Sequence, residues 1–370
     1  MDVLDRANAL ARAGRTIYHL EAGQPSSKAP QLALEAAQQA LSEQVLGYTE
    51  ALGRPQLRER ISKHYQTVYG VDVAPERVVI TTGSSAGFVL AFLALFDVEQ
   101  SLAIANPGYP AYRNITRALG VRPRLIDCRQ AEQFRLTAAT LATVPDIDGV
   151  LIASPSNPCG SVVSADELLR IAGLCAERGL RLISDEIYHG ITYETSAQTM
   201  LAYSPDVVVI NSFSKYFSMT GWRIGWMVVP EWIVTTVERL AQNFYISAPA
   251  ISQVAALHAL DATRELDGHV KGYAANRRLL MHTLQRAGFG AMAPADGAFY
   301  LYVDVSPFGL ESSVFTSRLL EEAGVAATPG IDFDPDDGKR WVRFSYASSC
   351  SDIERAAAAI SRWCGTLKQG

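Results

Sequence analysis

Between residues 77 and 229 the chain repeats one pattern: a short, nearly continuous apolar run rich in β-branched residues, closed by a turn. The runs are "RVVITT" (77–82), "LAIAN" (102–106), "GVLIASP" (149–155), "LRLISDE" (180–186), "DVVVINSFS" (206–214) and "WRIGWMVV" (222–229). Helical stretches separate several of them: "SSAGFVLAFLALF", one from about Pro110 and one opening at Ser164. Apolar strands flanked by helices predict an α/β fold with a mostly parallel sheet buried on both faces. In an open sheet of that kind, ligands bind beyond the carboxyl ends of the strands. Those ends carry Gly83-Ser84-Ser85, Asn106 to Tyr109, Ser154 to Asn157, Asp185-Glu186 and Ser212 to Lys215.

After about residue 264 the texture changes. A long polar helix over 265–287 leads to "GAFYLYVDV" (297–305), a helix near 311–324, "RWVRFSYA" (340–347) and a last helix. This α+β order predicts a second, smaller domain, with a large domain over 31–264 and the small one over 265–370. No repeat or flexible linker separates them, so a tight interface and an interdomain cleft are expected. Formal net charge is −5 and no basic block occurs, which argues against nucleic acid as a partner. The five cysteines are widely spaced with no CxxC pair, as for reduced thiols in a cytoplasmic protein. The N-terminus lacks the apolar core of a secretory signal, and "AGFVLAFLALF" (86–96) is too short to span a bilayer. No membrane role is expected.

Lys215 stands out in "SFSKYFSMTGWRIGW" (212–226), among hydroxyls, aromatics and glycines with no carboxylate beside it. An ordinary lysine there would be a solvated loop residue. At the mouth of the sheet it reads better as an amine used for Schiff-base chemistry with an aldehyde. "TTGSSAG" (81–87) runs a strand into a helix start, where free N–H groups suit a phosphate; many such turns hold no ligand. It is neither GxGxxG nor a P-loop, which disfavours a nucleotide. Ser212, Ser214 and Arg223 around Lys215 strengthen the phosphate reading over a structural ion pair. Asp185, ending "LISD", either caps a turn or keeps a basic ring nitrogen protonated. Tyr188 and Asn157 could reach an oxygen on the same ring, or simply belong to turns. Tyr109 and Tyr112 of "NPGYPAY" either pack or stack on a flat ring.

Four motifs, "NPGYPAY" (106–112), "SPSNPCG" (154–160), "SDEIYHG" (184–190) and "SFSKYFSMTGWRIGW" (212–226), in this order and at roughly these intervals, resemble the fold-type I pyridoxal-phosphate enzymes. From about Leu20 onward the chain resembles the class I/II aminotransferases. The resemblance implies a fold-type I architecture: a seven-stranded, mostly parallel sheet in a large domain plus a smaller α+β domain. Residues 1–30 would then be an N-terminal segment lining the active site, with Gly23 of "EAGQP" at the substrate. It implies that pyridoxal 5'-phosphate is held by Lys215 as a Schiff base, with Asp185 on the ring nitrogen and Asn157 and Tyr188 on the ring oxygen. Tyr109 would stack on the ring, while Gly83, Ser84, Ser85, Ser212, Ser214 and Arg223 would surround the phosphate. Tyr48 matches a tyrosine that such enzymes send to the neighbouring subunit's phosphate, which implies a homodimer with shared active sites. Arg343 of "WVRFSYA" matches the arginine that clamps the substrate α-carboxylate, with Asn157 also at the substrate.

The implied reaction moves an amino group from an L-amino acid to a 2-oxo acid, and burial plus the Arg223 charge should lower the Lys215 pKa. "GSSAGF" offers no basic residue for a second carboxylate. Tyr109, Tyr112, Tyr245, Phe299 and Tyr300 favour a neutral or aromatic donor over aspartate. Two departures stand out: a short N-terminus, and "FDPDDGKRW" (333–341) where a phenylalanine-glycine is usual. A carbon–sulfur β-lyase on the same fold is the rival activity. A cofactor-sensing regulatory module would need a DNA-binding domain, for which this chain shows no sequence.

Overall fold

All six apolar runs form strands, and a seventh joins them. The computed structural model describes residues 2–367. Its main sheet runs, in spatial order, Val78–Thr81, Gly225–Val228, Val208–Ser212, Arg181–Asp185, Gly149–Ala153, Ser101–Asn106 and Arg122–Asp127. Gly225–Val228 is antiparallel to both neighbours, while the ladder from Val208–Ser212 through to Arg122–Asp127 is parallel. The strand absent from the six runs is Arg122–Asp127, "RPRLID". As an edge strand it has one neighbour, and charged residues with a proline occupy positions that interior strands fill with valine and isoleucine. Only Ile126 of it is buried.

The helices start and stop where local chemistry dictates. Ser164 accepts the Glu167 N–H and opens Ala165–Arg178, which Gly179 ends with a left-handed φ of 65°. Pro110 occupies the first turn of Pro110–Ala118, where its missing N–H costs nothing. Helix Gly83–Leu95 is apolar all round because it lies between the sheet and further helices, and Phe88, Leu90 and Phe92 are fully buried.

The C-terminal part is built on a three-stranded antiparallel sheet: Thr328–Pro329, Trp341–Ser345 and Tyr300–Asp304. Helices Thr263–Ala287 and Cys350–Leu367 pack together beside it. The N-terminal segment is stitched to this part. Tyr18–His19 pairs in parallel with Val325–Ala326, and the Ser345 N–H donates to the Leu20 carbonyl at 2.6 Å. Leu20, Ile187, Tyr188 and Ile191 share a core with Phe299, Leu301 and Phe344, so the carboxyl edge of the main sheet meets the small one. Among the described residues, no helix is long and apolar enough to cross a membrane.

Candidate active site

A cleft of about 260 Å³ opens where the strand ends of the main sheet face the three-stranded sheet and the N-terminal segment. Lys215 follows the turn after Val208–Ser212 and is half-buried at the cleft wall. Its Nζ donates to the Gly23 carbonyl at 2.7 Å. Loss of water, then the Arg343 and Arg223 charges, lower its pKa to about 8 against the pull of Asp185. The larger electrostatic influence is therefore Arg343, across the cleft, rather than the sequence neighbour Arg223.

Asp185 ends its strand fully enclosed, and burial raises its pKa to about 6. The Ile187 N–H donates to its Oδ1 at 3.1 Å, and the Tyr112 hydroxyl donates to its Oδ2. Tyr112 is thus buried behind the acid, held edge-on to Tyr109, which alone of the pair is half-exposed toward the cleft mouth. A contact between Tyr112 and Asp185 joins residues 73 positions apart, and no local signal announces it.

Arg343 projects from the middle of its strand and is 6% exposed. Its Nη1 donates to Asn157 Oδ1 at 3.0 Å and its Nη2 to the Glu21 carbonyl at 2.6 Å. The guanidinium carbon lies 4.3 Å from the Tyr300 ring centre and 4.7 Å from that of Phe333. Its Nε is buried with no partner. Phe333 belongs to "FDPDDGKRW", whose unusual sequence makes a fixed loop. Asp334 accepts the N–H groups of Asp336 and Asp337 and bonds Asn106 and Arg129 of the main-sheet side.

At the other end, Ser84 and Ser85 begin helix Gly83–Leu95 facing Arg223, Ser214 and Thr220. Arg223 is exposed, and its Nη1 donates to the Thr220 carbonyl at 3.2 Å. Gly83 has φ +74°, and a Cβ there would stand 2.3 Å from Arg223 Nη2. Neither Gly83 nor Ser212 reaches the cleft wall. Gly83 makes room for Arg223, and Ser212 bonds Ser214 from behind at 2.9 Å. Tyr188 bonds Tyr300 hydroxyl to hydroxyl at 2.7 Å.

Two aromatics expected near the cleft lie elsewhere, and Tyr48, expected at a neighbouring subunit's phosphate, also lies outside it. Tyr48 is 84% exposed on the loop before helix Pro55–Tyr69, outside this cleft. Tyr245 packs on the far core beside exposed Phe244, and Phe299 points into the core against Tyr188 and Tyr273. Residues the sequence did not single out also line the cleft: Pro155, Ile187 and Thr220. Among the described residues, Lys215, Arg223 and Arg343 make no salt bridge. Three cations facing one cleft without acids of their own suit an anionic ligand at each end, with an amine between.

The family model for aminotransferase class I and II matches residues 15–360. A valine–pyruvate aminotransferase of Mycobacterium tuberculosis is 48% identical over 368 residues, covering 98% of this chain and 95% of that protein. A crystal structure of an aminotransferase from Mycobacterium tuberculosis superposes with a TM-score of 0.97 at 47% identity, over 99% of this chain and 96% of that one. The aspartate aminotransferase from Thermus thermophilus with maleate gives 0.92 at 30% identity, over 98% and 95%.

Proposed function

The chain belongs to the class I and II aminotransferases, an enzyme family, and on that premise we propose a pyridoxal 5'-phosphate-dependent exchange between a neutral or aromatic L-amino acid and a 2-oxo acid, with Lys215 as the cofactor-bonding residue. The observation that carries this reading is the set of three acid-free cations in one cleft, opposite a single buried carboxylate.

The residues fit the cofactor on their own chemistry. The helix start at Ser84 and Ser85, with Ser214 and Arg223, forms a donor set for a dianion, and Gly83 leaves the room that Arg223 occupies. When bound, the cofactor supplies an aldehyde that takes the amino group and a ring that accepts the electron pair freed at the substrate α-carbon. Asp185 holds its negative charge against a protonated ring nitrogen, and such a cation would draw its pKa below the value near 6 that burial imposes. Tyr109 would stack on the ring, while Asn157 and Tyr188 would serve the ring oxygen. Arg343 receives the substrate carboxylate on one side of Asn157. With its Nζ free, Lys215 would take the α-proton of the substrate and return it, acting first as base and then as acid.

Substrate class follows from counting charges. Arg343, Arg223 and Lys215 are each assigned, and among the described residues no further cation lines the cleft for a second carboxylate. The Mycobacterium tuberculosis relative is named for valine and pyruvate, both neutral apart from the groups already served. Mixing the loaded protein with single amino acids, with no 2-oxo acid present, tests the reading. We expect one equivalent of 2-oxo acid per site, no ammonia, and a kcat/KM at least about tenfold higher for neutral donors than for aspartate. Continuing ammonia release would make the enzyme a lyase, and a preference for aspartate would refute the substrate class.

The proposal includes a homodimer with shared sites. Val45, Tyr48, Phe244 and Ile246 are exposed near one another, the loop being tied by the Thr49 N–H to Ser247 Oγ at 3.3 Å. In the proposed dimer a second copy would cover them, and Tyr48 would reach its partner's phosphate end. Light scattering of the active protein is expected to give twice the chain mass of 40.2 kDa, and a fully active monomer would sink the idea. Cys128, Cys159, Cys175 and Cys350 form no disulfide, which supports a cytoplasmic location.

A further inference from the structure

Tyr300 has no role in the scheme above, yet it touches three of the groups that do. It heads strand Tyr300–Asp304 and is 1% exposed. Its hydroxyl lies 2.7 Å from that of Tyr188. Its ring underlies the Arg343 guanidinium at 4.3 Å. Its hydroxyl also closes on Gly23 so tightly that a Cβ added there would stand 2.2 Å away. Gly23 is the residue whose carbonyl holds Lys215.

The hydroxyl pair has a property that neither member has alone. Two hydroxyls carry two protons and share one hydrogen bond, and among the described residues neither has another hydrogen-bond partner. Either direction satisfies the pair while nothing else is near. An anionic oxygen beside Tyr188 removes that freedom: it accepts a hydrogen bond from the Tyr188 hydroxyl, and Tyr300 must then donate to Tyr188. A donor that is itself receiving a hydrogen bond is polarised and donates more strongly, most of all where water is excluded. Phenylalanine at 300 would fill nearly the same space but would leave Tyr188 without that donor.

We propose that Tyr300 is a positioning residue that donates to Tyr188 and so fixes and strengthens the Tyr188 hydrogen bond to the cofactor's ring oxygen, while its ring supports Arg343 from below. The inference rests on the proposed function, in which Tyr188 serves that oxygen. It also explains Gly23: any side chain there would push the Tyr300 hydroxyl off Tyr188. The cofactor site and the carboxylate site are thereby joined through one ring.

The test is a pH titration of the visible absorbance of cofactor-loaded protein, which reads how firmly a proton sits on the nitrogen that Lys215 contributes. Weaker donation to the ring oxygen returns electron density to that nitrogen and raises the midpoint. Tyr300→Phe is expected to raise it by roughly half a pH unit. Tyr188→Phe should raise it further, and the double variant should match Tyr188→Phe alone. Gly23→Ala, which displaces the hydroxyl without removing it, should shift the midpoint as Tyr300→Phe does. The KM of Tyr300→Phe for the amino donor should stay within about twofold, because the ring under Arg343 remains. An unmoved midpoint in Tyr300→Phe, or a shift that adds in full to that of Tyr188→Phe, overturns the proposal. Wild-type protein that takes up the cofactor without any pH-dependent band would instead overturn the Lys215 assignment, and this inference with it.

Discussion

Lys215→Ala is expected to lower amino transfer by at least about 10⁴-fold, the upper range for removing a group that moves the proton, with the covalent role lost as well. The fold should survive. Among the described residues the ammonium makes one hydrogen bond, to a backbone carbonyl, and no salt bridge depends on it. The measurement is a single-turnover assay beside a far-ultraviolet dichroism spectrum; retained turnover in folded protein would refute the assignment. The same position carries a pH signature in the cofactor-free protein. Its pKa of about 8 lies below the ordinary lysine value of about 10.5, so burial disfavours the charged form. Below pH 8 both folded and unfolded chains are protonated, and the folded one carries the full penalty. Between the two values the unfolded chain binds more protons, so stability rises with pH across that window. Lys215→Met keeps the stem without the charge. At pH 7 it should be more stable than wild type by at most about 3 kcal/mol, an upper bound because the side chain is half-exposed to screening solvent. Denaturant titrations should show the difference closing toward pH 10.5, and a constant difference would mean that the amine is not desolvated.

The sheet and the ends of its strands were legible because their signals are local. A continuous β-branched run means a strand buried on both faces, and a polar cluster after such a run sits at the carboxyl edge wherever the strand falls in the order. Asp185, Asn157, Ser214 and Lys215 each end or follow a run of this kind, and the structure brings them into one cleft. Arg122–Asp127 was missed because an edge strand need not look like an interior one. Its arginines face solvent, and its only ladder is with Ser101–Asn106. The contacts that tune the site are non-local and depend on register. Tyr300 lies opposite Ser345, two residues along the strand from Arg343, only because of how two antiparallel strands align. Gly23 meets Lys215 only because the N-terminal segment is tied to the small sheet at Leu20. The Arg343 effect on the Lys215 pKa has the same origin, and the fifteen-residue stretch 212–226 that contains Lys215 holds Arg223 but not Arg343.

Arg343→Ala is expected to lower kcat/KM for the amino donor by roughly 10²–10³-fold, with most of the loss in KM. Removing one member of a buried, hydrogen-bonded charge pair costs about 2–5 kcal/mol, and the substrate carboxylate would here be the other member. The geometry explains why the cation can wait unpaired. Asn157 and the Glu21 carbonyl accept two of its N–H groups, and the aromatic rings of Tyr300 and Phe333 take up part of the charge. Those partners are neutral, so a carboxylate entering the cleft adds the ion pair without first displacing another acid. Arg343→Lys should recover only part of the loss, since an ammonium cannot present a planar fork to a carboxylate or lie flat on Tyr300. The discriminating measurement compares an amino acid with the amine of the same side chain that lacks the carboxyl group. If Arg343 binds that group, alanine at 343 should penalise the acid and leave the amine's already low rate within about threefold. Equal losses on both would mean that Arg343 shapes the cleft rather than binding the substrate. In that case a buried cation without an acid beside it would have to be explained by packing alone.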